Sequence, residues 1–484
     1  MMNEFREKGL SKEEISHRLQ AFRKRDVPWR DGRVFSYVYH AGDDVEEVAK
    51  MAYNEYLSEN GLDVTAFPSL MEMENQIMGM CRWLLRGDAH VSGSFTSGGT
   101  ESLLLAAKTA RDYAQHKHPH IAQPEVIMAE TIHSSLFKAC NYFQLKPILV
   151  PAREDHKVYA EDMAKYITPN TILLAASAPS YAYGVYDDIE EIGKLAAEHQ
   201  LLFHVDACIG GFIGSLNRLN GWQQPDFDFS VPGITSISMD LHKYGYTPKG
   251  ASVLLYKTEE IRRHQYYVCN EWTGYTVVNP TMLSSKSGGP IAAAWAVMNY
   301  LGLDRYKSMA RETMHAVETL KNGIENIKGL TLIGSQLTSL ICFTSSRINI
   351  YDLADELKTR KWVVNLQFSH SRVPANIHMS VTYQHIHKVS EFLYDLEESV
   401  KQVSKRVLPK LMDMATLKTA NAMAGNMSAD MMAQFAPMLG IKDGQLPDKM
   451  AVINQLLNDL PKEMSKELLL RFMGDLYAAH APKS

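Results

Sequence analysis

Residues Leu201 to Phe212 read LLFHVDACIGGF, and residues Ser236 to Gly250 read SISMDLHKYGYTPKG. Each opens as a short apolar β-type run and ends on charge. Asp206 closes the first, and His242 and Lys243 directly follow the second. Working outward, similar runs recur at Val126–Glu130 (VIMAE), Pro147–Pro151 (PILVP), Thr171–Ser177 (TILLAAS) and Ala251–Tyr256 (ASVLLY). Between them lie segments such as ESLLLAAKTARDYAQ and IEEIGKLAAEHQ, whose apolar residues recur at helical spacing. Strands apolar on both faces, alternating with helices, predict a mainly parallel α/β sheet covered on both sides. Ligands of such sheets gather at the carboxyl ends of the strands.

The rest of the chain sets bounds on this reading. Its 484 residues, 45% hydrophobic and 22% charged, exclude a disordered or low-complexity chain. Fifty Lys and Arg against 55 Asp and Glu give a net charge of −5, which argues against non-specific nucleic-acid binding. No apolar run approaches the roughly 18 residues that a bilayer span needs. The opening MMNEFREKGLSKEEISHRL carries charge at helical spacing and no apolar signal core. Five cysteines lie far apart without a CxxC pair, so neither a disulfide framework nor a zinc site is expected. A soluble protein of the reducing cytoplasm is the expectation. Four parts are predicted: a helical segment over 1–85, the α/β domain over 86–300, a smaller α+β domain over 301–405, and a helical tail over 406–484. Seven of the 25 methionines fall between Leu411 and Leu439. That stretch reads as packing helices or as an adaptable apolar surface for a lipid chain.

Three motifs carry chemistry. Ser92 to Arg111, SGSFTSGGTESLLLAAKTAR, places glycines and Thr100 just before a helix. Such a turn brings backbone N–H groups close to a phosphate, though alone it reads equally as a Thr-capped helix. Asp206 ends an apolar strand, where a carboxylate needs a positive partner. A pyridinium nitrogen is one. Lys243 follows another strand end, where an isolated lysine simply reaches for solvent. Together, a phosphate-type loop, an aspartate and a lysine in one α/β domain match the needs of pyridoxal 5'-phosphate. The lysine bonds the cofactor, the aspartate keeps the ring nitrogen protonated, and the loop anchors the phosphate. His133, in ETIHSSLFKA, then faces the ring as a stacking group.

TSGGTES, HVDAC-GG and DLHKYGY-PKG resemble the sphingosine-1-phosphate lyases, within the pyridoxal-phosphate-dependent group II decarboxylase superfamily. The resemblance runs from about Gly32 to Tyr477, and KELLLRFMGDLY is similar to the way these lyases end. It implies a type I fold with a seven-stranded-type sheet, and a homodimer with shared sites. It implies Lys243 as the cofactor-bonding lysine, Asp206 at the ring nitrogen and His133 on the ring. Gly99, Thr100 and His242 hold the cofactor phosphate, joined by Ser285 from the neighbouring subunit. Lys249 binds the substrate phosphate. Tyr39, Asn60 and Tyr181 line the substrate pocket, with Tyr39 coming from the partner chain.

The chain departs from the family pattern at Leu62–Asp63–Val64, at Ser284–Ser285–Lys286 and at Tyr181–Ala182–Tyr183–Gly184. The second departure keeps a charge but loses the planar guanidinium of the family's arginine. All three bear on the substrate more than on the cofactor. The expected reaction cleaves the C2–C3 bond of a phosphorylated long-chain base, giving a fatty aldehyde and phosphoethanolamine. The proton acceptor at the C3 hydroxyl is open among His133, Lys243 and the cofactor phosphate. An L-amino-acid decarboxylase is the alternative enzyme, and a non-catalytic scaffold the alternative class. No metal is expected. Partners beyond the substrate and a second copy are not expected, apart from transient contact with a membrane.

Overall fold

The computed structural model describes residues 5–334, 338–405 and 447–477. Its central sheet holds β1 Ser92–Thr96, β2 Glu125–Ala129, β3 Lys146–Val150, β4 Thr171–Ser177, β5 Leu202–Asp206, β6 Ser236–Asp240 and β7 Ser252–Tyr256. The order is β1-β7-β6-β5-β4-β2-β3. Parallel pairing links β3, β2, β4, β5 and β6, and β7 alone runs against its neighbours β6 and β1.

Alternation along each strand explains the two covered faces. Ile127, Leu174, Phe203, Val205 and Met239 join one core cluster, whereas Val126, Met128, Leu173 and Leu254 join another on the opposite face. Helices Gly99–Lys117 and Ser134–Tyr142 cover the second face. Helices Ile189–Glu198, Gly210–Leu219 and Gly288–Asn326 cover the first. Each large apolar side chain buried this completely contributes about 1.5–3 kcal/mol. Close approach of the layers demands glycine at Gly210, where a Cβ would lie 2.1 Å from the carbonyl oxygen of Ala178.

β8 Tyr267–Cys269 and β9 Val277–Asn279 pair as an antiparallel ribbon. The smaller sheet, β10 Thr331–Ile333, β11 Leu340–Thr344, β12 Asn365–Gln367 and β13 Asn376–Ser380, has the order β10-β11-β13-β12. Trp362, Phe343, Phe392 and Ile377 form its core together with Phe35 from the N-terminal segment. Residues 1–85 are therefore shared between layers, since Ile77 and Cys81 join the large-sheet core. The division expected near residue 300 falls inside helix Gly288–Asn326, beside its non-helical residue Gly302 (φ 59°).

Among the described residues, no helix is long and apolar enough to cross a membrane. The tail is described only from residue 447, as helices Ala451–Asp459 and Lys462–Tyr477. The methionine-rich stretch lies outside the described residues.

Candidate active site

A cavity of about 330 Å³ opens at the carboxyl ends of the strands. The turn after β1 supplies Gly98, Gly99 and Thr100, and the segment after β2 supplies His133. The loop after β4 supplies Tyr181, β5 ends in Asp206, and β6 ends in Asp240 ahead of His242 and Lys243. Residues far apart in sequence meet here because parallel strands all deliver their ends to one edge.

The phosphate end is a backbone cradle. Gly98 takes φ +150°, and a Cβ on Gly99 would come within 2.9 Å of both Asp240 carboxylate oxygens and of the Cys208 sulfur. No side chain caps the start of helix Gly99–Lys117, so its first N–H groups remain available to an anion. Glu101 closes the cradle from outside by accepting a hydrogen bond from the Met282 N–H at 2.7 Å. Thr100 Oγ1 and Ser135 Oγ lie 2.8 Å apart, and Ser135 Oγ lies 2.9 Å from His133 Nδ1. His133 Nδ1 also accepts from the Ser135 N–H at 3.3 Å. A neutral His133 ring therefore carries its hydrogen on Nε2.

Asp206 is buried, and its Oδ1 accepts from the Cys208 N–H at 3.1 Å. Among the described residues no cation stands at ion-pair distance from it, although a buried carboxylate needs one. Lys243 Nζ lies 2.9 Å from Asp240 Oδ2. Burial opposes the lysine's charge, but the Asp240 carboxylate outweighs it and holds the ammonium well above the ordinary lysine value. Burial likewise pushes the Asp240 carboxyl up, and Lys243 and His242 more than offset it. His242 Nδ1 donates to the Ala251 carbonyl at 2.7 Å, which leaves Nε2 facing the cavity. A glycine cradle, an unpaired buried carboxylate and a lysine around one cavity fit pyridoxal phosphate. Gly99, Thr100 and His242 would hold the phosphate, Asp206 the ring nitrogen, and Lys243 the aldehyde carbon.

Lys249 Nζ sits 5.0 Å from the centre of the Tyr39 ring, and Tyr39 packs edge-on against Tyr244 at 5.2 Å. Burial, reinforced by Lys243, lowers Lys249 to about 8. Tyr39 thus stands in the same chain as the Lys243 and Lys249 it faces. The segment after Gly32 runs back across its own small sheet, where Val34 bridges Val363. Tyr181 Oη accepts from Asn365 Nδ2 at 2.9 Å, and its ring lies 4.2 Å from that of His378.

Asn60 and Ser285 do not line this cavity. Asn60 Oδ1 accepts from the Leu62 N–H at 3.1 Å, and Asn60 bridges Ser287. Their chain neighbours Gly61, Ser284 and Lys286 line a second cavity of about 740 Å³, together with Leu62, Val64, Tyr275 and Val278 among others. Lys286 is taken up by Glu74 at 2.6 Å, so the lysine at the family's arginine position ties the loop before helix Gly288–Asn326 to helix Pro68–Leu84. Sequence reading passed over Ser135, Cys208 and Asp240. Of these only Asp240 gave a signal, a carboxylate ending a second strand just as Asp206 ends the first.

Fold and site together define a pyridoxal-phosphate-dependent enzyme. A family profile described as the pyridoxal-dependent decarboxylase conserved domain matches residues 8–346. Another, for a C-terminal helix-turn-helix domain of pyridoxal-dependent enzymes, matches 409–475. The sphingosine-1-phosphate lyase of Oryza sativa subsp. japonica is 39% identical over 403 residues, 82% of this chain and 74% of that protein. That of Rattus norvegicus is 36% identical over 412 residues, 84% of this chain and 72% of that protein. The structure of the Burkholderia pseudomallei sphingosine-1-phosphate lyase superposes with a TM-score of 0.80 at 30% identity, covering 86% of this chain and 97% of that one. A Lactobacillus brevis glutamate decarboxylase shares the fold, with a TM-score of 0.74 at 18% identity. The chain belongs to the sphingosine-1-phosphate lyase family.

Proposed function

We propose that this enzyme cleaves the C2–C3 bond of a phosphorylated long-chain base, such as sphingosine 1-phosphate, to a fatty aldehyde and phosphoethanolamine. The observation that carries this reading is Lys249. Its solvent-reaching ammonium lies over the Tyr39 ring, within the electrostatic reach of Lys243, and has no carboxylate at ion-pair distance among the described residues, which suits a phosphate on the substrate. Decarboxylation needs no such cation.

Bound in the cavity, pyridoxal phosphate supplies an electron sink for the breaking bond. The chain's own groups do the rest. Asp206 holds the proton on the ring nitrogen. Lys243 Nζ would hold the cofactor until the substrate amine takes its place. The His133 ring limits the cofactor on one face, and with Nδ1 engaged by Ser135 it presents an N–H rather than a lone pair. That leaves Lys243 Nζ as the better-placed acceptor for the C3 hydroxyl proton once it is free. Lys249 Nζ anchors the substrate phosphate, and Tyr39 and Tyr181 wall the path that the substrate follows.

The active form is read as a homodimer in which Ser285 completes the partner's phosphate site. Exposed apolar side chains on the β8–β9 ribbon, among them Tyr267, Val268 and Val278, support such an interface. Five cysteines without a disulfide suit a reducing cytoplasm. The deciding experiment incubates the cofactor-loaded protein with sphingosine 1-phosphate and with a panel of L-amino acids, reading aldehyde and carbon dioxide separately. Aldehyde from the phospholipid alone is expected. Carbon dioxide from an amino acid without aldehyde would favour the decarboxylase.

A further inference from the structure

We infer that Asp240 accepts the proton that Lys243 must lose when it bonds to the cofactor, and that the resulting neutral carboxyl then lies beside the cofactor phosphate without repelling it. The inference rests on the cofactor reading above. It starts from a conflict between two buried groups. Lys243 Nζ, as an ammonium 2.9 Å from Asp240 Oδ2, has no lone pair with which to attack an aldehyde carbon. Asp240, with a side chain only 3% exposed, lies against the phosphate cradle, its two oxygens each 2.9 Å from where a Gly99 Cβ would stand. An ionised carboxylate beside an incoming phosphate is a like-charge pair in a buried site, which is strongly disfavoured. Its Oδ1 has no hydrogen-bond partner among the described residues, so no donor there holds the group in its ionised form.

One proton transfer resolves both problems. An Nζ–H bond of Lys243 breaks and an O–H bond forms on Asp240 Oδ2, so the pair passes from ammonium and carboxylate to amine and carboxylic acid. The Nζ lone pair then bonds the aldehyde carbon, and the aldehyde oxygen leaves as water with the two remaining Nζ hydrogens. No proton has to come from or go to solvent.

The neighbours do not compete for this proton near neutrality. Burial pushes the Cys208 thiol and the Tyr39 and Tyr181 phenols up, so these stay protonated. Burial pushes His242 down, and its Nε2 lies 3.7 Å from Asp240 Oδ2. Lys249, lowered to about 8 by burial and by Lys243, is the neighbour that titrates near the window tested.

Two groups sharing one proton hold it over the whole range between their two macroscopic titrations. With Asp240 lowered and Lys243 raised, that range spans neutral pH. Within it, the fraction of the pair in the amine–acid form does not depend on pH.

The test strips the full-length protein of cofactor and reloads it with pyridoxal 5'-phosphate between about pH 7 and 9. Loading is followed by the bound-cofactor absorbance and by infrared difference spectroscopy, and repeated on Lys249→Met to remove that neighbour's titration. The expected result is a loading rate that varies less than about threefold across the window. A protonated-carboxyl band should appear on loading and be missing from Asp240→Asn. A rate climbing about tenfold per pH unit, or no new carboxyl band, would overturn the proposal. So would the same band in Asp240→Asn. If that variant does not fold, the wild-type rate profile and the shift of the wild-type band on carboxyl-carbon labelling of aspartate decide the matter. Absence of bound cofactor at every pH would overturn the cofactor reading itself, and this proposal with it.

Discussion

At the scale of single residues, the site separates groups by what faces them. Asp206 and Asp240 both end central strands, yet only Asp240 has a lysine at 2.9 Å. Asp206→Asn should therefore keep the fold and bind cofactor while losing roughly 100-fold or more of the aldehyde-forming rate, because an amide does not hold the ring-nitrogen proton. Single-turnover kinetics on the loaded variant would check this, and a near-native rate would make Asp206 a structural strand end. Lys249 gives a prediction in pH. Its ammonium binds phosphate only while protonated, and burial and Lys243 together lower it to about 8. Charge is present below that value and lost above it. In the loaded enzyme Lys243 no longer carries its ammonium, so burial is the one lowering cause left, and the loss begins higher but still below the ordinary 10.5. Beyond that point kcat/KM for the phosphorylated substrate should fall about tenfold per pH unit. Lys249→Arg should abolish this fall and Lys249→Ala should lower kcat/KM roughly 10- to 100-fold at neutral pH. Measured pH profiles of the three proteins decide it.

At the scale of elements, close approach of backbones sets the architecture. Helix Gly210–Leu219 begins directly after β5 and crosses the end of β4, where a Cβ on Gly210 would stand 2.1 Å from Ala178 O. A backbone carbonyl cannot swing aside as a side-chain tip can. Gly210→Ala should thus destabilise the protein by about 3 kcal/mol or more, seen as a lower urea midpoint, with cofactor binding weakened because Asp206 sits a few residues earlier. The same physics explains what the sequence made legible. TILLAAS and SISMD coincide with β4 and β6, since uninterrupted β-type runs have no other use in a doubly covered sheet. β1, SGSFT, is not among the strands that the apolar runs mark. It is a strand because β7 pairs with it so closely that a Cβ on Gly93 would lie 2.3 Å from Leu254 O. Small residues that look like a turn are here the condition for pairing. Tyr39 and Ser135 were harder still. Their roles depend on which segments fold back together, and periodicity says nothing about that.

At the scale of the whole molecule, the two cavities lie in different parts of the chain, and the second bears on how a copy of the chain would pack. The lysine-bearing cavity is lined within one chain by Gly99, Thr100, His133, Asp206 and Lys243, and Ser285 of the same chain is not among its lining residues. Ser285 stands between Ser284 and Lys286, which line the second cavity of about 740 Å³ together with Val278 of a ribbon whose Tyr267, Val268 and Val278 are each about 60% exposed. An apolar ribbon of that kind is buried against something, and a two-fold partner would carry Ser285 into the neighbouring phosphate site. The consequence is testable by mixing two inactive proteins. Lys243→Ala lacks the bonding lysine but keeps Ser285. Ser285→Asp keeps the lysine but sets a carboxylate against the cofactor phosphate of whichever site it serves. If Ser285 serves the partner, each mixed dimer has one site built from an intact Lys243 and an intact Ser285. Random exchange of equal amounts then makes half of the dimers mixed, with one native site each, and should restore about a quarter of the wild-type activity. If Ser285 serves its own chain, every Lys243-bearing site in the mixture also carries the aspartate, and nothing is restored. Subunit exchange is verified separately with differently tagged chains, so that a failure to recover activity counts against the shared site and not against the mixing. Adding Tyr39→Phe to the Ser285→Asp protein sharpens the test. Tyr39 belongs to the chain that carries Lys243, so the added substitution should lower the recovered activity, whereas placing Tyr39→Phe in the Lys243→Ala chain should leave that recovery unchanged.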